Sequence, residues 1–127
     1  ICIIKDDITE LKNQIIKCNM VVLSAPTYFA NVPGPVKNMF DRLSGAILDE
    51  KARPRFNKYK RYIILTACGT PAPWDRLTGQ STGALRAMKK FFRMGNMSCQ
   101  GKVIYSGVSE QVDLPGHIKQ KIRRLLP

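Results

Sequence analysis

Three short, continuous apolar segments lie within residues 20–24, 61–66 and 102–106 and predict β-strands. Around them, apolar residues recur at intervals of three and four, which predicts helices over residues 7–17, 35–44 and 82–94 and a last helix after Pro115. Residues 20–23 are all apolar, as in a strand that is covered on both faces, and Pro26 is expected to end that strand. Because strands alternate with helices, we expect a layered α/β fold whose parallel strands are joined by right-handed crossovers.

Residues at the predicted helix ends indicate where the helices begin and stop. Asp7 and Glu10 have the spacing of a capping box, which explains the adjacent carboxylates Asp6 and Asp7 more simply than an acid–base or metal site does. Gly45 and Gly95 are expected to end the second and third helices. These assignments leave no carboxylate pair as a catalytic candidate.

The loops after the first two strands carry the candidate functional residues. The first loop contains a hydroxyl, Thr27, and two aromatic rings, Tyr28 and Phe29, ahead of a helix that starts near Pro35. The second strand also ends in a glycine- and proline-containing loop, residues 67–71. Open α/β sheets bind ligands at the carboxyl ends of their strands, and rings beside free backbone N–H groups suit a flat heteroaromatic ligand. The alternative is that the two rings only close the end of the sheet.

This region resembles a known flavin-binding segment. The strand end at residues 24–28, the Asn-, Gly- and Pro-containing loop at residues 31–35 and the Lys-x-x-x-Asp-Arg pattern at residues 37–42 resemble the flavodoxin-like NAD(P)H-dependent FMN reductases and iron–sulfur flavoproteins. The resemblance implies a doubly wound parallel sheet, FMN as cofactor and NAD(P)H as co-substrate. Because the flavin carries the chemistry in such proteins, no residue is predicted to act as a catalytic acid or base. The cofactor-binding residues that the resemblance implies are Ala25, Pro26, Thr27, Tyr28, Phe29, Asn31, Ala67, Cys68, Gly69 and Trp74.

The resemblance covers residues 1–127 as a single, partial domain that matches about the C-terminal two-thirds of the family's fold. A flavodoxin-like sheet has five strands in the order 2-1-3-4-5. This chain supplies the last three, and no segment resembles the first strand and its phosphate-binding loop. We therefore expect a truncated sheet in which residues 20–24 form an edge strand with an uncovered apolar face, and we expect that edge to dock on another chain. Family members commonly form dimers or tetramers, so the resemblance also implies a homo-oligomer.

Composition adds limits to the class of protein. The 127 residues are 44% hydrophobic, enough for one domain with its own core. No segment is typical of a membrane span or a signal peptide, so we expect a cytoplasmic protein. The four cysteines form no Cys-x-x-Cys pair and are expected to be reduced, with Cys18 and Cys99 half-buried. Cys2 matches the last cysteine of the motif in the iron–sulfur members, but its companions are not in the sequence and no metal site is predicted. His117 is expected to be a surface residue.

The net charge of +12 leaves two alternative functions open. The densest basic segment, residues 51–61, contains Phe56 and Tyr59, as a nucleic-acid- or anion-binding module would, although solvated surfaces explain such charges more simply. A non-catalytic electron carrier of the flavodoxin type is the second alternative, which the basic composition disfavours. The favoured function is a flavin-dependent oxidoreductase that passes hydride or electrons from NAD(P)H to a quinone, a flavin or a similar small molecule. No nucleic-acid partner is favoured.

Overall fold

The computed structural model describes residue 4, residues 6–109 and residues 113–126. Three parallel strands form one sheet in the order β1-β2-β3, which confirms the predicted α/β fold. The strands are β1 (Met20–Pro26), β2 (Arg61–Cys68) and β3 (Ser98–Ser106). The helices of the described residues are α1 (Ile8–Lys17), α2 (Gly34–Arg42), α3 (Ser44–Ile47), α4 (Trp74–Leu77), α5 (Gln80–Met94) and α6 (Gly116–Arg123). None of them is long and apolar enough to cross a bilayer.

Two predicted helix ends are wrong in detail. Gly45 does not end a helix, because α2 stops at Arg42 and Gly45 lies inside the short helix α3. The capping box does not form either, since the side chain of Asp7 makes no cap hydrogen bond. Its neighbour Asp6 instead accepts a hydrogen bond from the backbone N–H of Ile8, at 3.3 Å. The predicted end of α5 at Gly95 is confirmed.

One face of the sheet carries the main core. Alternate residues of β1, among them Val21 and Leu23, point toward α1, α2, α3 and α5. Two stacked ring pairs lie in this core, Phe40 on Phe91 at 4.5 Å between ring centroids and Tyr62 on Phe92 at 4.4 Å. Burial of each large apolar side chain stabilises the fold by roughly 1.5–3 kcal/mol. The most deeply buried core side chains include Leu43, Ala46, Ile47, Tyr62, Ile64, Ala84, Met88 and Phe92.

Among the described residues, the opposite face is covered over β2, where Ile63 is 1% exposed, and over β3. There α6 packs on β3, with Leu125 lying over Gly101 where a larger residue would collide with it. At β1 the same face is open, so Val22 is 47% exposed and Ser24 is exposed. The prediction of a strand covered on both faces is therefore wrong for the described residues. The prediction that this strand is an edge with an uncovered apolar face is confirmed.

A buried lysine fixes the junction between α1 and the sheet. Lys60 is only 9% exposed, and its Nζ donates hydrogen bonds to the backbone carbonyls of Ile15 (2.6 Å), Ile16 (3.0 Å) and Cys18. The ammonium group also lies 4.4 Å from the centroid of the Phe56 ring. These carbonyls end α1 and have no further helical turn to bond, so the lysine caps the negative end of the helix dipole.

Other cations of the basic segment 51–61 are also engaged within the chain. Arg53 pairs with Asp49 at 3.1 Å, and Arg55 donates to the carbonyls of Gly45 and Leu48 at 3.4 and 3.3 Å. Together with Lys60, these contacts commit half of the six cations in this segment to local structure. The segment is thus a poor candidate for a nucleic-acid surface.

Candidate functional site

The carboxyl ends of β1 and β2 are joined directly. The backbone N–H of Thr27 donates to the carbonyl of Ala67 at 2.9 Å, and the hydroxyls of Thr27 and Thr66 lie 3.2 Å apart. Pro26 is the register partner of Ala67. The structure therefore brings three of the sequence-predicted residues, Pro26, Thr27 and Ala67, to one point on the rim of the sheet. Ala25 lies just below them and is buried.

The loop after β1 is a tight turn that projects two aromatic rings into solvent. Tyr28 and Asn31 exchange two backbone hydrogen bonds of 2.9 Å each, and the Asn31 side-chain oxygen accepts from the N–H of Val32 at 2.8 Å. Phe29 and Ala30 at the tip have φ angles of 46° and 59°, which are uncommon for residues with a side chain. Tyr28 is 61% exposed and Phe29 is fully exposed, so neither ring is buried in the end of the sheet.

Helix α5 holds this loop in place through a glycine. The backbone carbonyl of Ala30 lies against Gly83, where an added Cβ would be 3.0 Å from the carbonyl carbon and far closer to its oxygen. Only a residue without a side chain fits this approach. Glycine inside a helix is unfavourable for the helix itself, by about 1 kcal/mol relative to alanine. A glycine near the start of the predicted helix 82–94 is the signal in the sequence for this contact.

The loop after β2 is tied to the end of β3. The carbonyls of Cys68 and Thr70 accept hydrogen bonds from the N–H groups of Val108 and Gly107, each at 3.1 Å. The thiol of Cys68 is buried and points to the carbonyl of Thr70 at 3.5 Å. Burial raises the pKa of this thiol, so it stays protonated at neutral pH and is not a reactive thiolate. Gly69 is exposed between these contacts.

The free backbone N–H groups of the rim are fewer than the sequence suggested. Those of Thr27, Tyr28 and Asn31 are used within the loop. Among the described residues, the N–H groups of Phe29, Ala30, Gly69 and Thr70 have no hydrogen-bond acceptor. These four donors of the two loops are therefore the ones that a ligand at the rim would meet.

Next to the exposed Trp74 lies a carboxylate that sequence reasoning missed. Trp74 begins α4 and is 60% exposed, whereas Asp75 is completely buried. Its Oδ2 accepts hydrogen bonds from Ser81 at 2.8 Å and Ser106 at 2.9 Å, so one carboxylate joins α4, α5 and the end of β3. Oδ1 is buried without a partner in the described part of the chain. Nothing in the sequence marks Asp75, because its partners come together only in the fold.

The hydroxyl donors keep the Asp75 carboxylate ionised. Burial by itself raises the pKa of Asp75, but the hydrogen bonds from Ser81, Ser106 and the backbone N–H of Arg76, together with the Arg76 charge, lower it below its ordinary value. The side chain is thus a buried anion held by two serine hydroxyls.

The Lys-x-x-x-Asp-Arg pattern has a structural role in α2. Lys37 and Asp41 form an exposed ion pair one turn apart, at 2.5 Å. Arg42 reaches back to Asp6 at 2.6 Å and links α2 to the residues ahead of α1. The Arg42 guanidinium holds the pKa of Asp6 below its usual value. This pattern therefore orients the helix that follows the aromatic loop.

The remaining titratable candidates lie away from the rim. His117 is exposed at the start of α6, as predicted. Cys18 is half-buried and unpaired, as predicted, but Cys99 is exposed because β3 is an edge strand. Within the described residues, no group of three or more His, Cys, Asp or Glu side chains is arranged to hold a metal ion. Cys2, the candidate for an iron–sulfur motif, lies outside the described residues.

Three parallel strands with helices packed against them and a loop-built rim at their carboxyl ends define a flavodoxin-like α/β protein. Solved structures agree on the fold. The Trp repressor binding protein of Bacillus subtilis is 22% identical, with a TM-score of 0.61 over 96% of this chain and 68% of that one. An NADH:FMN oxidoreductase in its apo form is 12% identical, with a TM-score of 0.64 over 95% of this chain and 57% of that one. General stress protein 14 of Treponema denticola, solved in complex with FMN, is 17% identical, with a TM-score of 0.59 over 95% of this chain and 68% of that one.

The sequence places the chain more closely. Residues 2–104 match the family model of NADPH-dependent FMN reductase, and the chain belongs to this family. An iron–sulfur flavoprotein of Archaeoglobus fulgidus is 44% identical over 41 residues, which is 32% of this chain and 20% of that relative. The match thus spans one fifth of the curated relative. The resemblance read from residues 24–42 is confirmed at the level of the family.

Proposed function

We propose that the chain is the ring-binding part of a flavin-dependent oxidoreductase that uses FMN. The observation that carries the proposal is the rim itself, where Thr27 joins β1 to β2 and Gly83 holds the aromatic loop against α5. This rim lies inside the region that matches the FMN reductase family. It also occupies the position at which open α/β sheets bind ligands.

The chemistry of the rim fits a planar heteroaromatic ring. The N–H groups of Phe29, Ala30, Gly69 and Thr70 are four donors available to the polar edge of such a ring. Tyr28, in the loop after β1, and Trp74, at the start of α4, offer exposed aromatic side chains. When bound, FMN supplies the hydride and electron transfer. The residues of this chain bind the ring, orient it and limit its access to water, and no protein acid or base is required.

The other candidate residues hold the two loops of the rim in position. Ala25 and Pro26 form the end of β1, Ala67 holds Thr27, and Cys68 is a buried, protonated thiol below Gly69. The Asn31 side chain is used to close the aromatic loop. These residues position the loops, while the exposed groups of the rim meet the ligand.

Co-substrate, acceptor and assembly belong to the same proposal. We take NAD(P)H as the hydride donor, a quinone, a flavin or a similar small molecule as the acceptor, a homo-oligomer as the assembly and the cytoplasm as the location. The family description names an NADPH-dependent reductase, and one structural neighbour is named an NADH:FMN oxidoreductase. We also propose that residues 1–127 are part of one flavodoxin-like domain that docks through its open β1 edge.

Titration of the natural full-length polypeptide with FMN, followed by calorimetry, tests the proposal. Tyr28→Ala should weaken binding by roughly 1–3 kcal/mol if the ring stacks on a ligand, on the scale of base–aromatic stacking. Tyr59→Ala is the matched control, since Tyr59 is 87% exposed but lies just before β2, at the opposite end of the strands. A protein that binds no FMN, or equal affinities for the two variants, would contradict the assigned site.

A further inference from the structure

Helix α5 carries a row of cations along one of its faces. Arg86 lies three and four residues before the adjacent Lys89 and Lys90, and Arg93 lies four and three residues after them. Lys102 of β3 faces the same groove, which has a volume of about 640 Å³. Neither α5 nor β3 contains an acidic residue. We call this feature the cationic groove. Its lining residues are Thr82, Leu85, Arg86, Lys89, Lys90, Arg93, Met94 and Lys102.

The cations of the groove lack acidic partners. Within residues 6–109 and 113–126, none of the five forms an ion pair, whereas Lys37, Arg42, Arg53 and Lys119 each pair with an aspartate. None of the five donates a side-chain hydrogen bond in this part of the chain either. The cations of the groove differ in this respect from those of segment 51–61, where two arginines and a lysine contact neighbouring carbonyls and a carboxylate.

The fold does not account for these charges. The helix dipole favours cations only in the last turn of a helix, and of this row only Arg93 is a clear last-turn residue. Like charges three or four residues apart, such as Arg86 with Lys90 and Lys89 with Arg93, destabilise a helix. The row is therefore unfavourable in the chain alone and becomes favourable when an anion neutralises it.

The uncharged lining of the groove indicates what kind of anion fits. Leu85 forms part of the floor and Met94, which is 43% exposed, lies at the rim. Among the described residues, no aromatic side chain on which a base would stack lines the groove, and no Asn or Gln that would read base edges lines it. A methionine beside lysines and arginines can contact an apolar side chain while the cations bind carboxylates around it. This combination suits an acidic protein segment that contains an apolar residue.

We propose that the cationic groove binds an acidic segment of a partner protein. Carboxylates of that segment face Arg86, Lys89, Arg93 and Lys102, and an apolar side chain lies over Met94. Thr82, at one end of the groove, adjoins the glycine that holds the aromatic loop, so the bound partner lies beside the candidate rim. The proposal does not depend on the flavin.

Binding of defined probes by the natural full-length polypeptide tests this assignment. The first probe is a labelled decapeptide of glutamates with one central leucine, and the second has serine in place of that leucine. The third is a single-stranded oligodeoxynucleotide of equal charge. We expect the leucine peptide to bind most tightly, several-fold better than the serine peptide, with an affinity that falls as salt is added.

Charge reversal locates the site. The variant R86E/K89E/R93E should lose at least about tenfold in affinity for the leucine peptide, which is about 1.4 kcal/mol. The matched control K51E/K58E/K121E changes the net charge equally, at exposed cations without a side-chain partner in the described residues, and should lose less than about threefold. Circular dichroism checks that both variants are folded.

Three outcomes would overturn the proposal. Equal losses in the two variants would show a general charge effect rather than a site. Tighter binding of the oligonucleotide than of the leucine peptide would assign the groove to nucleic acid. A benzoylphenylalanine at the leucine position that cross-links away from Leu85 and Met94 would place the peptide elsewhere.

Discussion

The close approach of Ala30 to Gly83 makes Gly83→Ala a sharp test of how the rim is built. The new methyl group would meet the backbone carbonyl of residue 30 rather than the end of a flexible side chain. A backbone carbonyl cannot rotate away, because Tyr28 and Asn31 close the loop with two hydrogen bonds. The substitution must therefore displace the whole aromatic loop from α5.

Two opposing contributions set the size of the effect. Alanine is more favourable than glycine inside a helix by about 1 kcal/mol. Overpacking in a well-packed region costs about 1–3 kcal/mol, and the rigid backbone obstacle favours the upper end of this range. We expect the free energy of unfolding of Gly83→Ala to fall by roughly 1–2 kcal/mol, together with a marked loss of FMN affinity.

Urea unfolding and FMN titration of the natural polypeptide measure both effects. Gly116→Ala is the control, because an added Cβ at this helical glycine meets nothing within 4 Å. The control should be neutral or gain a few tenths of a kcal/mol. If Gly83→Ala were as stable as the control and bound FMN normally, the loop would not depend on this contact and the reasoning would be refuted.

Three further predictions concern buried polar groups. Lys60→Met should lower the free energy of unfolding by about 3 kcal/mol, since three carbonyls lose a charged donor, while Lys58→Met should have little effect in the same urea titration. The folded-state pKa of Asp75 lies below its unfolded value, so its carboxylate stabilises the fold above about pH 4 and this contribution is lost as the pH falls through the folded pKa. The difference in free energy of unfolding between wild type and Asp75→Asn should therefore shrink in acid. A difference that stays constant between about pH 6 and pH 3, roughly the range in which a carboxyl group titrates, would contradict this prediction. Burial, followed by the neighbouring Cys99 thiol, raises the pKa of Tyr62 to about 12, so ultraviolet titration should show one late tyrosine that Tyr62→Phe removes.

The sequence predicts the elements of this fold well where their periodicity is long. The three strands and the helices α1, α2, α5 and α6 all follow from apolar spacing. The short helices α3 and α4 are four residues each, too short for a period to be read. The predicted strands 20–24 and 61–66 stop two residues before the observed ends at Pro26 and Cys68, because backbone pairing continues beyond the last apolar residue.

The candidate site is predictable only in its location. The rule that ligands bind at the carboxyl ends of parallel strands places it at the loops after β1 and β2. Which N–H groups are free depends on the turn that Tyr28 and Asn31 close, and no sequence pattern specifies that pairing. Asp75 is missed for the same reason, since an aspartate at a helix start is normally a solvated cap.

The lysine that caps α1 has an effect at the far end of the sheet. Beside it, the N–H of Arg61 donates to Asn19 at 3.0 Å, so the first residues of β1 and β2 are aligned where they start. A shift of one residue in the register between β1 and β2 would turn every β1 side chain to the other face of the sheet. It would also displace the loop after β1 relative to the loop after β2. Lys60 thus helps to position the aromatic loop from the opposite end of the sheet. A substitution at position 60 would be expected to displace Tyr28 and Phe29.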